Sequence, residues 1–157
     1  MDSHHHLDQT DWKILRELQQ NGRMSNVALA SRVGLSPPPC LRRVQALEKA
    51  GIVSGYRAVL DAGVLGFNVS VIAFVGLKSQ AEAELQAFEA RVAAWPMVRE
   101  AYAVSGEADY LLKLVALGLP ELQNFIIGEL TAAANVDSVK TTLVLRVSKY
   151  DPGVPIP

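Results

Sequence analysis

The chain has 157 residues, half of them hydrophobic and 20% charged, with a formal net charge of -1 at pH 7. This length and apolar content support a packed core, which excludes a largely disordered protein. The only cysteine is Cys40, which excludes an intramolecular disulfide framework, and no Cys/His cluster has the spacing of a zinc site, so no metal or cofactor is predicted.

The charge is divided unevenly along the chain. Residues 1–60 contain 8 lysines and arginines against 5 acidic residues, whereas residues 61–157 contain 7 against 11. This asymmetry favours contact between the N-terminal part and a polyanion. The apolar runs are too short to span a bilayer and no secretory signal pattern is present, so the sequence predicts a cytoplasmic protein with no membrane partner. Residues 1–6, which include three adjacent histidines, are predicted to be a disordered tail or a tag remnant.

Residues 7–54 are predicted to fold as three helices. Apolar residues at helical spacing mark a first helix from about residue 8 to residue 20. Ser25 is a typical N-cap for a second helix, and Gly34 follows that helix where a tight turn needs positive φ. A short turn of this kind between the second and third helices is typical of a helix-turn-helix motif.

The third helix is predicted to read DNA, because the second helix of the motif enters the major groove with its first residues nearest the bases. Since a residue before proline avoids the α region, this helix is predicted to begin at Pro39, with free amides at Cys40 and Leu41. An alternative for Arg42 and Arg43 of this helix is that they are only solvated surface residues or pair with Glu48. The predicted DNA contacts are Ser36, Pro38, Pro39, Leu41, Arg42, Arg43 and Gln45.

Residues 52–60 look extended and are predicted to form a wing or a linking strand. The domain boundaries are set at 7–54 for the helix-turn-helix, 55–66 for a linking strand and hinge, and 67–157 for a second domain. The elements predicted for the second domain are Val69–Leu77 (strand), Glu82–Trp95 (helix), Val98–Val104 and Tyr110–Ala116 (strands), Pro120–Ala133 (helix) and Val136–Val147 (strand).

This βαββαβ order predicts a ferredoxin-like domain with an antiparallel sheet and helices on one face, so the whole chain is α+β. Both faces of the strand Val69–Leu77 are apolar. A second copy of the chain is therefore predicted to cover the open face of the sheet.

Four segments resemble the Lrp/AsnC family, the feast/famine regulators: LDQTDWKILRELQQNGR (7–23), LASRVGLSP (29–37), CLRRVQALEKAGI (40–52) and VSGEADYLL (104–112). The resemblance implies a winged helix-turn-helix that binds double-stranded DNA at a palindromic operator as a transcription regulator. It also implies a sensor domain that dimerises through its sheet, assembles to a tetramer or octamer, and binds an amino-acid effector between dimers.

The resemblance further implies which residues bind the effector: Gly106, Glu107, Asp109, Val139 and Thr141. An acidic side chain suits the α-ammonium group of an amino acid, and a glycine amide and a hydroxyl suit its carboxylate. Val139 stands where a hydroxyl residue is common in the family, which favours an aliphatic or aromatic amino acid. The alternative for Gly106 and Asp109 is that they only shape a hairpin turn.

Two other functions remain as alternatives. Siroheme decarboxylases resemble the same two-part architecture, but their chemistry relies on histidines, and this chain has none after residue 6. The chain is therefore predicted not to be an enzyme. The second alternative is a sensor or co-regulator that no longer binds DNA.

Overall fold

The computed structural model describes residues 7–157, so the prediction of a tail or tag at residues 1–6 lies outside the described residues. The chain divides into two units. The helical unit is formed by two segments, one that runs to Val59 and the other Tyr150–Pro157, and the sheet unit is Leu60–Lys149. Among the described residues, no helix has the length and apolar character needed to cross a membrane.

The helical unit contains the three predicted helices: α1 (Gln9–Gln20), α2 (Asn26–Val33) and α3 (Pro37–Lys49). Asp8 caps α1, and its carboxylate accepts from the amides of the first turn. Ser25 caps α2 as predicted, and Gly34 ends that helix with φ +75°. The core of the unit consists of Ile14, Leu15, Leu18, Leu29, Ala30, Val33, Cys40 and Leu47.

The start of α3 differs from its prediction. The helix begins at Pro37 and not at Pro39, so its first three residues are all prolines. The fixed φ of proline fits the first turn of a helix, where an N–H has no acceptor within the helix and its absence costs no hydrogen bond. This fit outweighs the steric preference against a helical conformation in the residue before a proline. The first amide is that of Cys40, and it donates to the Ser36 carbonyl over 3.3 Å. The prediction of a free amide at Cys40 is therefore wrong.

The connection between the units also differs from its prediction. Residues 52–68 contain no strand in the described chain, so the linking strand predicted within 55–66 is not formed. Instead the amides of Leu65 and Phe67 bond to the carbonyls of Asp61 and Ala62 and make a compact turn. A strand needs a neighbour to complete its hydrogen-bond ladder, and this segment pairs with no other strand among residues 7–157.

The sheet unit has the predicted βαββαβ order. Its last helix changes to a π-helical turn after Phe125, and its last strand ends at Leu143, four residues before the predicted end. The elements are β1 (Val69–Leu77), α4 (Glu82–Ala94), β2 (Val98–Ala103), β3 (Tyr110–Ala116), α5 (Leu119–Phe125), the π-helical turn Ile126–Leu130 and β4 (Val136–Leu143). The strand order is β2-β3-β1-β4, and every neighbouring pair is antiparallel, which confirms the ferredoxin-like prediction.

The two faces of the sheet differ in burial. Alternate residues of β1 and β3 pack under α4 and α5, where Phe88 is fully buried and its ring lies 4.8 Å from that of Tyr110. The opposite face carries Ile72, Phe74 and Leu111, and Phe74 is 37% exposed. This second face of the sheet is hereafter called the open face, and its apolar side chains are less buried than those on the first face.

Candidate DNA-binding and effector sites

The outer surface of α3 presents one stripe of exposed side chains. Pro38, Leu41, Arg42 and Gln45 are all exposed and follow each other at helical spacing, on the side away from the buried stripe of the same helix. Leu41 is 45% exposed, although it is a large apolar residue. The stripe thus combines a guanidinium, an amide and two apolar groups on one face of the second helix of the motif.

The beginning of α3 offers side-chain groups rather than backbone amides to an anion. Ser36 precedes the helix in an extended conformation, and its side chain makes no cap bond because the three following prolines carry no N–H. Asn26 of α2 donates from Nδ2 to the Pro37 carbonyl over 2.8 Å and so ties the two helices together at this point. Pro39 is half-buried, unlike the exposed Pro38.

Arg43 is engaged within the helical unit. Its Nη1 donates to Asp8 Oδ2 and to Asp11 Oδ1, each over 2.8 Å. Bonds from the backbone N–H of Asp11 and from Arg43 lower the pKa of the Asp8 carboxyl. The predicted alternative partner, Glu48, instead accepts from the Tyr56 hydroxyl over 2.9 Å. Arg43 therefore joins α3 to the capped start of α1, a contact that the sequence analysis missed because its partners lie more than thirty positions away.

In the sheet unit, Asp109 closes the end of β1. Its Oδ2 accepts from the Leu77 amide over 2.6 Å and its Oδ1 accepts from Gln80 Nε2 over 2.8 Å. Its own amide donates to the Val75 carbonyl over 2.9 Å. Both carboxylate oxygens are thus engaged within the chain, which supports a structural role for this residue in holding the hairpin against the end of β1.

The other four predicted effector residues lie around the same end of the sheet unit. Gly106 is exposed with φ +135°, and Glu107 is exposed with its Oε2 3.9 Å from Lys140 Nζ. Val139 is half-buried opposite Val75 in the strand ladder, and Thr141 is exposed on the same strand. Two clefts of about 510 and 360 Å³ occur in the described chain, and neither is lined by any of the five predicted residues.

Comparison with known proteins identifies both parts of the chain. Residues 7–54 match the family described as winged helix-turn-helix DNA-binding, and residues 70–154 match the Lrp/AsnC ligand binding domain. Over 143 residues the chain is 57% identical to a leucine-responsive regulatory protein of Rhizobium meliloti (strain 1021), which covers 91% of this chain and 92% of that protein. The chain belongs to the Lrp/AsnC family.

Solved structures agree with this assignment to the Lrp/AsnC family. A transcriptional regulator of Neisseria meningitidis, solved in complex with L-Met, superposes with a TM-score of 0.91 at 38% identity and covers 95% of this chain and 96% of that one. An AsnC family transcriptional regulator from Agrobacterium tumefaciens gives a TM-score of 0.89 at 32% identity, with 95% and 97% covered. The predicted fold and regulator class are confirmed, and these relatives lend no support to the siroheme decarboxylase alternative.

Proposed function

We propose that this Lrp/AsnC family member is a sequence-specific DNA-binding transcription regulator whose activity or assembly responds to an amino acid. The observation that carries the DNA-binding part is the exposed stripe on α3, formed by Pro38, Leu41, Arg42 and Gln45. In a helix-turn-helix, base edges are read by side chains that project from the second helix of the motif into the major groove. The stripe projects from that helix and is exposed.

Each member of the stripe has a base edge that it fits. Arg42 reads guanine with two parallel N–H donors, and Gln45 pairs with the donor and acceptor of adenine. Leu41 and Pro38 offer apolar contact to the methyl group of thymine. Ser36 contributes its hydroxyl to a phosphate oxygen, because no backbone N–H stands at the first three positions of α3.

The test is a fluorescence-anisotropy titration of the promoter DNA upstream of the protein's own gene. The Arg42→Ala variant is expected to bind about 1–3 kcal/mol more weakly than the wild type and to discriminate less at one base position. Arg99→Ala is the matched control, since that arginine is exposed on β2 of the sheet unit. Equal affinities of the wild type and Arg42→Ala for a mapped operator would contradict the assignment.

For the effector, we place the site at the hairpin of Gly106, Glu107 and Asp109 beside Val139 and Thr141. The support is the match to the ligand binding domain and the L-Met complex of the Neisseria relative. These five residues lie around an open surface in one chain, so a second copy is needed to enclose a ligand there. The half-buried Val139 favours an aliphatic or aromatic amino acid, because an apolar wall gives a charged side chain no partner.

A thermal-shift screen with the twenty amino acids tests the effector part of the proposal. An amino acid present at a hundred times its dissociation constant should stabilise the protein by about 2.7 kcal/mol. Methionine and leucine are expected to shift the transition, and lysine and glutamate are not. A preference for a charged amino acid would contradict the apolar wall at Val139.

A further inference from the structure

The segment Tyr150–Pro157 belongs to the helical unit, although it follows the last strand of the sheet unit in sequence. It lies along α1, and we call it the clasp. Gln19 of α1 holds it at two points: Nε2 donates to the Val154 carbonyl over 2.9 Å, and Oε1 accepts from the Val154 amide over 3.1 Å. This is the pattern by which one backbone segment pairs with another, supplied here by a side-chain amide.

Two further contacts hold the clasp against the helical unit. Arg16 of α1 donates from Nη2 to the main-chain oxygen of Pro157. Ile156 is half-buried and packs against the core of the helical unit. A cleft of about 510 Å³ between α1 and the clasp is lined by Arg16, Gln19 and Ile156.

Gly153 lets the clasp approach α1 closely. Its φ is +118°, a conformation that residues with a side chain rarely adopt. A Cβ at this position would lie 2.5 Å from Gln19 Oε1 and 2.6 Å from Gln19 Cδ. Since the Gln19 side chain is fixed by its two bonds to Val154, any larger residue at 153 must displace it and break the pair.

We propose that the clasp attaches the sheet unit to the helical unit a second time, and that its contacts with α1 control how strongly the helical unit binds DNA. The chain passes from the helical unit to the sheet unit after Val59 and returns to the helical unit at Tyr150. At its other end α1 is joined to α3 by the bonds of Arg43 to Asp8 and Asp11. A change at β4 therefore has a covalent route to α1, and α1 has a bonded route to α3.

Hydrogen exchange of the full-length protein tests whether the clasp holds α1. In Gly153→Ala, the amides of the last two turns of α1 are expected to exchange about tenfold faster than in the wild type, because local opening no longer has to release the clasp. The matched control is Gly128→Ala, since a Cβ there meets nothing within 4 Å and the residue is helical. Unchanged exchange of α1 in Gly153→Ala would overturn the proposal.

A double-mutant cycle separates the clasp contact from backbone strain at residue 153. Gln19→Ala removes both bonds to Val154 and is expected to speed exchange in α1 as Gly153→Ala does, whereas Lys13→Ala, an exposed control on the same helix, is not. Because the two substitutions break one contact, the double variant should exchange little faster than either single variant. Fully additive effects would overturn the proposal, since they would place the two residues in separate interactions.

Operator binding tests whether the clasp controls how strongly the helical unit binds DNA, and this part rests on the proposed function. Gly153→Ala and Gln19→Ala are expected to weaken binding by about threefold or more with an unchanged salt dependence, because no phosphate contact is lost. Exchange is measured without DNA, so a failure of DNA binding in the wild type is distinguished from a failure of the clasp. Faster exchange together with unchanged operator affinity would overturn the control role.

Discussion

At the scale of single residues, the two adjacent arginines of α3 have different tasks. Successive residues of a helix are rotated by about 100° around its axis, so neighbours in sequence face different surroundings. Arg42 lies on the exposed stripe, whereas Arg43 turns toward α1 and bonds two carboxylates there. We infer that Arg42 contacts DNA and that Arg43 positions the helix that carries it.

The salt dependence of operator binding distinguishes these two roles. Arg43→Gln is expected to weaken binding while leaving the slope of log affinity against log salt unchanged, because Arg43 neutralises no phosphate. A phosphate contact would reduce that slope by about one in the variant. Arg42→Gln, on the exposed stripe, is the companion variant. Its loss of affinity should either depend on particular operator bases or be accompanied by a reduced salt slope. A reduced slope in Arg43→Gln would show that this arginine leaves Asp8 and Asp11 to bind DNA.

Asp109 has a structural task that its position in the hairpin motif does not reveal. Asp109→Ala removes the acceptor of the Leu77 amide and is expected to lower the free energy of unfolding by about 1–3 kcal/mol. Urea denaturation measures this loss, with Glu107→Ala as the control because that side chain is exposed and 3.9 Å from its partner. Wild-type stability in Asp109→Ala would leave the carboxylate free for a ligand role alone.

At the scale of secondary-structure elements, β3 and α4 are joined by a buried hydroxyl. Tyr110 of β3 is 3% exposed, and its hydroxyl donates to Glu89 Oε1 of α4 over 2.9 Å. Burial, followed by the bond to Glu89, raises the pKa of Tyr110 from 10 to about 12. The sheet and its helix layer are therefore packed around a group that must stay protonated.

This shift predicts a loss of stability at alkaline pH. The folded state keeps the Tyr110 proton that the unfolded state releases above pH 10, so the stabilisation is complete below pH 10 and is lost as the pH rises toward 12. The expected decrease in the free energy of unfolding is about 2 kcal/mol over this interval. Tyr110→Phe should lack this part of the pH dependence in chemical denaturation monitored by circular dichroism. An identical alkaline profile in the two proteins would contradict the assignment.

At the scale of the whole molecule, the open face of the sheet remains to be covered. Phe74 and Leu111 are neighbours on adjacent strands of that face, and the Glu100–Lys113 ion pair of 2.7 Å lies beside them. An apolar patch with a polar rim is typical of an interface between protein chains. We propose that two copies of the chain pair through this face, which also gives the two-fold symmetry that a palindromic operator requires.

Light scattering tests the pairing at micromolar concentration. The wild type is expected to be a dimer or a larger assembly, and Leu111→Glu is expected to shift it toward the monomer, because a carboxylate cannot be buried there without a partner. Leu145→Glu is the control, since Leu145 is 90% exposed and lies outside the strands. A monomeric wild type, or the same assembly in Leu111→Glu, would rule out this face as the interface.

The sequence by itself determined the features that depend on near neighbours in the chain. Helical periodicity and capping residues identified α1 and α2, and Ser25 and Gly34 mark the limits of α2 as predicted. Short runs rich in β-branched and other apolar residues placed β1 and β3 at Val69–Leu77 and Tyr110–Ala116. These signals can be recognised from sequence because helical periodicity and strand composition both appear within a short window of residues.

Only the tertiary structure decided which partner each polar side chain takes. Arg43 bonds Asp8 and Asp11 instead of Glu48, Asp109 bonds the end of β1, and Gln19 holds a backbone segment 135 positions away. The prolines that begin α3 adopt a helical conformation although each of them disfavours it in the residue before. Such outcomes depend on the folded backbone, which brings groups that are far apart in sequence within hydrogen-bond distance of each other.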